Sequence, residues 1–131
     1  MTVYLDTSAA AKLLVEELES AALASYLDSL DAAEELMSSV LLETELRRLG
    51  IRLEIPQATI SQLLDQVALV EVSRSLFREA GLLPGSYLRS LDALHIAAAL
   101  RLDCRLLITY DHRMATAATD VGLATIGPAP S

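Results

Sequence analysis

Five short apolar runs, "VYL", "ELMSS", "ALVEVS", "RLLIT" and "LATIG", are separated by segments whose apolar residues recur at helical spacing. This alternation constrains the fold more than any other feature. Strands joined through helices cannot pair as hairpins, so each connection must cross over a sheet face, and the result is a parallel sheet covered by helices. The first strand is expected at residues 2 to 5, followed by a helix over "AAAKLLVEE" capped by Thr7 or Ser8, and a second helix near 20 to 30. "ELMSS" at 35 to 39 is the second strand, leading into the helix "VLLETELRRLGIRL", with Leu42, Leu46, Leu49 and Leu53 on one stripe. Pro56 ends that helix. A helix over "QATISQLLDQV", a strand over "ALVEVS" at 68 to 73, a helix near 74 to 82 and a turn at Pro84 and Gly85 follow. The segment "SLDALHIAAALRL", capped by Ser90, is apolar nearly all round, as befits a helix packed deep against a sheet. "RLLIT" at 105 to 109, a helix over "HRMATAATDVG" ending at Gly122, and a last strand in "LATIG" complete the chain.

The 131 residues fit one domain spanning 1–131, with no repeat, low-complexity segment or linker to divide it. Asp6 interrupts the N-terminal apolar run, so no signal peptide is read, and no stretch has the roughly 18 uncharged apolar residues of a membrane span. Cys104 is the single cysteine and has no disulfide partner, which points to a reducing, cytoplasmic setting. The net charge of −8 excludes a protein that grips nucleic acid through a general basic surface. A polyanion would have to be met locally, by some of nine arginines and one lysine.

Carboxylates stand beside apolar structure at four places. Asp6 follows the first strand, Glu43 and Glu45 lie in the helix after the second, Asp92 falls in the first turn of the apolar helix, and Asp111 follows "LLIT". In a parallel sheet, sites gather beyond the carboxyl ends of the strands. Asp6 and Asp111 also have a plainer use as helix caps. Asp92 shares a side with Ile96 and Ala99, where an unpaired charge is costly. At ~100° per residue Glu45 lies about 70° from the centre of the leucine stripe and Glu43 about 90° away on the other flank, so spacing alone leaves both open. Glu43 has Arg47 at i+4 as a surface partner, and Glu45 has Arg48 nearby.

Such a set, without clustered cysteine or histidine, is an oxygen-rich site suited to Mg²⁺ or Mn²⁺ and not to structural zinc. These ions support in-line cleavage of phosphodiesters. Thr7, Ser8 and Thr109 are polar neighbours able to orient ligands or water. His95 and His112 have no zinc-ligand spacing, and His95 reads as an imidazole packed on its helix. Tyr4 and Tyr110 flank the first and last acids, as base-stacking groups or as half-buried structural tyrosines. Lys12, Arg48, Arg89 and Arg113 each lie near an acid and are candidate phosphate contacts as well as ordinary surface charges.

Taken together, "YLDTSAAAKL", "SSVLLETELRR", "LRSLDALHIAAAL" and "LITYDHRMATAATDVGL" resemble the PIN-domain family, specifically the VapC toxins of bacterial toxin–antitoxin pairs. The likeness spans nearly the whole chain and is weakest between about 54 and 80. It implies a PIN-domain α/β/α sandwich around a mainly parallel sheet, and a Mg²⁺- or Mn²⁺-dependent endoribonuclease toxin of a type II toxin–antitoxin system. On this resemblance Asp6, Glu45, Asp92 and Asp111 are the catalytic, metal-binding acids, with Glu43 a second candidate for the helix-borne glutamate. Lys12, Arg89 and Arg113 are the expected substrate contacts. The resemblance further implies a homodimer, a VapB-type antitoxin that blocks the acidic pocket, and a structured RNA substrate such as tRNA or rRNA whose cleavage stops translation.

Two other enzyme and switch classes fail on single residues. A phosphoaspartyl phosphatase needs an acid two residues after Asp6, where Ser8 stands, and a phosphorylated receiver domain needs an acid pair that "VYLDTSA" lacks. A catalytically silent PIN module used for binding is the remaining alternative. Against it, all four acid positions are filled.

Overall fold

The computed structural model describes all 131 residues. Its five strands form one sheet in the order β3-β2-β1-β4-β5, every pair parallel. The strands are β1 Thr2–Leu5, β2 Glu35–Ser39, β3 Ala68–Val70, β4 Leu106–Ile108 and β5 Thr125–Ile126. Between them run α1 Thr7–Ala11 and α2 Ser20–Asp28, α3 Leu41–Leu53 and α4 Gln57–Leu64, α5 Arg74–Gly81 and α6 Ser90–Arg101, and α7 His112–Asp120. The alternation of strand and helix patterns therefore has the outcome expected of it.

Strand periodicity sorts the core into two halves. Tyr4 and Leu107 face a cluster built from α5, α6 and α7, whereas Val3, Leu5, Leu106 and Ile108 face one built from α1 to α4. β1 is central and Val3, Tyr4 and Leu5 are wholly buried, which is why that strand is an unbroken apolar run. The chain leaves β1 toward β2 on one side and meets β4 on the other. This reversal is the topological switch point, and the carboxyl ends of β1 and β4 open a crevice there.

Several boundaries differ from those the sequence suggests. The first helix stops at Ala11, because the Ser20 hydroxyl reaches the Lys12 and Val15 carbonyls and the chain turns instead of continuing. Its N-cap is Asp6 and not Thr7 or Ser8: the Asp6 carboxylate accepts from Ala9 N at 2.9 Å. α6 starts after Arg89 with no side-chain cap from Ser90, and a carboxylate in its first turn, Asp92, offsets the helix dipole. The "ALVEVS" strand closes at Val70, because Ser73 turns to cap α5 by accepting from Leu76 N. "RLLIT" and "LATIG" shrink to three and two paired residues, β4 inside the sheet and β5 at its edge.

Candidate active site

Asp6, buried at 1% exposure, sits at the switch point directly after β1. Its carboxylate accepts from Ala9 N, from the Ser8 hydroxyl and from the Thr109 hydroxyl, the last at 2.5 Å across the end of β4. Burial raises its pKa above the usual carboxylate range, and these three hydrogen bonds pull it back. The three donors use three of its roughly four acceptor positions and leave one. Ser8 also accepts from Tyr110 N, and Thr109 from Asp111 N, so the two hydroxyls tie the β1 and β4 ends together.

Asp111 caps α7, its Oδ1 accepting from Arg113 N and Met114 N at 2.9 and 3.1 Å, with Oδ2 free. Both plain cap assignments are thus real, and each still leaves the acid an acceptor position. Asp92 has no hydrogen-bond partner in the chain although it is half-buried. Burial raises its pKa first, and the nearby charges of Asp111, Asp6 and Glu45 raise it further, with His95 acting the other way. The charges of Asp111, Asp6 and Glu45 thus lie near enough to act on Asp92.

The tertiary structure separates Glu43 from Glu45. Glu43 is exposed and accepts from Arg47 Nε at 3.1 Å, on the side of α3 that meets α4 through Arg47, Gln57 and Ser61. Glu45 is half-buried, and its Oε1 lies 2.7 Å from His95 Nε2, with Oε2 unpartnered. His95 is wholly buried, and its Nδ1 lies 2.7 Å from Tyr4 Oη, which in turn accepts from Ser39 N at 3.1 Å. Thr7 Oγ1 stands 3.4 Å from Nε2.

His95 is therefore more than a packed imidazole, and Tyr4, with no exposed surface, cannot stack on a base. Burial pushes the Tyr4 phenol up to about 12, so it remains a proton donor. The one sequence signal for this network is a polar His95 within the otherwise apolar turns of "LHIAAAL". Tyr110 is partly buried and donates to Pro128 O.

A groove of about 470 Å³ beside the acids is lined by Thr7, Ser8, Glu45, Arg48, Arg52 and other groups of α1, α3 and Leu91. Arg48 and Arg52 are exposed and make no ion pair, as is also true of Arg89 and Arg113. Lys12 differs: its ammonium is held by Glu17 at 2.7 Å and Glu19 at 3.1 Å, and lies 4.8 Å from the Tyr110 ring centroid. Arg113 and His112 line a second hollow with Tyr87.

As arranged here, no three His, Cys, Asp or Glu side chains converge closely enough to enclose one ion. The donor set nevertheless fits a hard cation. Asp92, Glu45 Oε2 and Asp111 Oδ2 are unpartnered oxygens facing mutual repulsion, and Mg²⁺ commonly keeps several waters and takes only one or two carboxylates directly.

The chain matches the model of the PIN domain over residues 3–119. It is 34% identical over 131 residues to Ribonuclease VapC47 of Mycobacterium tuberculosis, covering 96% of each chain. Among solved structures, the sarcin–ricin-loop-cleaving toxin VapC20 of M. tuberculosis superposes with a TM-score of 0.77 at 17% identity, covering 96% of this chain and 99% of that one. VapBC-1 from nontypeable Haemophilus influenzae gives 0.74 at 19% identity, over 97% and 98% of the two chains.

Proposed function

The chain belongs to the PIN-domain family, and from that premise we propose that it is a divalent-metal-dependent endoribonuclease, the toxin of a VapBC-type pair. What supports this reading is the placement of Asp6 and Asp111 just after β1 and β4, beside a half-buried Asp92 with no partner and a Glu45 with one oxygen free, charges that a cation would relieve. Asp6, Asp92 and Glu45 would hold the ion directly, with Asp111 doing so directly or through water. Bound there, Mg²⁺ or Mn²⁺ would activate water and neutralise charge building on the phosphate.

The chain's own groups set the stage for that chemistry. Ser8 and Thr109 lock the Asp6 carboxylate against the ends of β1 and β4. The Asp111 cap fixes the start of α7, and Glu45 is held from below by His95. Hydrolysis at this site would leave a 5′-phosphate on one product.

An acidic protein meets RNA through the cations it leaves free. Arg48 and Arg52 border the groove beside Glu45, Arg113 lines the hollow at α7, and Arg89 stands just before α6, so an RNA strand crossing the acids would have arginines on both flanks. Lys12 would first have to leave Glu17 and Glu19, and contributes less. Replacing Arg48 and Arg52 together by Gln is expected to weaken RNA binding across sequences and to reduce the slope of log K against log salt by about 1 to 2, measured by anisotropy with single-stranded RNA at several salt concentrations. An unchanged slope would remove both residues from the RNA path.

The partners follow the same reading. A VapB-type antitoxin would cover the acidic crevice, and the toxin would act in the cytoplasm as a homodimer; no helix of the chain is long and apolar enough to cross a membrane. Structured RNA such as tRNA or rRNA is the proposed target. The deciding experiment incubates antitoxin-free protein with total RNA in Mn²⁺, Mg²⁺ or EDTA, beside an Asp6→Ala control, and maps the new ends. Discrete metal-dependent cuts, absent in the control, are expected; intact RNA with folded protein would shift the reading to the binding module.

A further inference from the structure

The backbone of β2 is linked to the candidate site through two buried side chains, and the direction of each hydrogen bond can be worked out. Ser39 N–H can only donate, so Tyr4 Oη accepts it at 3.1 Å. The phenol lies 2.7 Å from His95 Nδ1, with the Ser38 and Ser39 hydroxyls also beside it. The partner of the other ring nitrogen is the Glu45 carboxylate, which can only accept. The imidazole proton is therefore on Nε2, where it points at Glu45 Oε1 across 2.7 Å.

We infer that Ser39 N, Tyr4 and His95 form a hydrogen-bonded chain that holds the His95 ring with Nε2 toward Glu45 and so aims that carboxylate, making His95 and Tyr4 positioning residues for the acid site. This inference rests on the proposed role of Glu45. Three features argue that the chain is more than a satisfied core histidine. It spans from the end of β2, through β1, to α6 and α3, so it connects the elements that carry Asp6, Asp92 and Glu45. It takes up one oxygen of Glu45 and leaves Oε2 without a partner. The Tyr4 and His95 rings meet edge to face, with centroids 5.7 Å apart at 73°, inside a close-packed core, so neither ring can swing away.

Loss of the phenol hydroxyl removes the partner that holds the far side of the ring, so the imidazole is no longer fixed square to Glu45 and the aim of the carboxylate loosens. Groups that orient metal ligands in this way typically change metal affinity or activity by about 10- to 100-fold.

The test uses Tyr4→Phe, His95→Leu and His95→Gln, with Leu107→Val as a core control from the same cluster as Tyr4. Mn²⁺ binding by calorimetry is the main readout, with ¹⁵N imidazole chemical shifts of the metal-free protein reporting the tautomer. The parent is expected to show the proton on Nε2. Tyr4→Phe and His95→Leu are expected to weaken Mn²⁺ binding about 10-fold or more, and His95→Gln, whose amide NH₂ replaces the Nε2 donor, to fall between parent and His95→Leu. Leu107→Val should lower thermal stability with Mn²⁺ affinity unchanged. A parent tautomer with the proton on Nδ1, or full Mn²⁺ affinity in Tyr4→Phe and His95→Leu, overturns the inference and leaves the ribonuclease reading standing. A parent that neither binds Mn²⁺ nor cuts RNA removes both.

Discussion

Asp92→Asn is expected to lower RNA cleavage by about 100-fold or more, the scale seen when one preorganised electrostatic group is removed from an active site, and at the same time to stabilise the metal-free fold. The two effects have one cause. Asp92 is half-buried with no partner, and its pKa is raised by burial and by Asp111, Asp6 and Glu45. A carboxyl whose folded pKa is raised favours the native state below its unfolded value, about 4, and that contribution is lost as pH climbs through the raised value. In EDTA, therefore, the parent should lose thermal stability across that interval. Asp92→Asn should lose less and melt higher at neutral pH. Differential scanning fluorimetry with EDTA from pH 4 to 8 reads the stability, and cleavage of the mapped RNA reads the activity. Full activity in the variant would take Asp92 out of the mechanism, and a lower metal-free melting temperature at neutral pH would show that its charge is not repelled in the fold.

The second large effect separates two neighbouring glutamates. Glu45→Gln is expected to reduce cleavage by about 100-fold, while Glu43→Gln stays within a few-fold of the parent. Glu43 sits in an exposed i,i+4 pair with Arg47, and such pairs contribute only about 0.3–0.5 kcal/mol. Glu45 instead projects between α3 and the buried face of α6, where His95 holds it. Gln at position 45 keeps the size of the side chain and removes the charge, so folding is not at risk. Initial rates on one RNA under saturating Mn²⁺ decide the matter. A greater loss at Glu43 would reverse the assignment.

Much of this protein was legible before any coordinates. Alternating apolar runs and helical stripes are local patterns, and they demanded crossover connections and a parallel sheet. The same reading put Asp6 and Asp111 just past strand ends, where crevices form, and picked out Asp92 as a charge in an apolar helix. Element ends were less legible. The early stop of α1 depends on a serine nine residues beyond Ala11, and Asp6 takes the cap that Thr7 or Ser8 could equally have filled.

Pairing between distant side chains, by contrast, belongs to the fold. Helical angle left Glu43 and Glu45 nearly equivalent, because both flank the same leucine stripe. They differ through His95, fifty positions away from Glu45 along the chain. Likewise Tyr4 meets His95 across 91 positions and Asp6 meets Thr109 across 103. Lys12 became occupied, and Arg48 and Arg52 stayed free, according to which acids the folded chain brought near them. Periodicity and capping act over one or two turns, so local patterns suffice to set the sheet, its connections and the acids at its rim. Hydrogen bonds and charge pairs between distant segments exist only once the sheet has closed, so the orientation of those acids belonged to the fold.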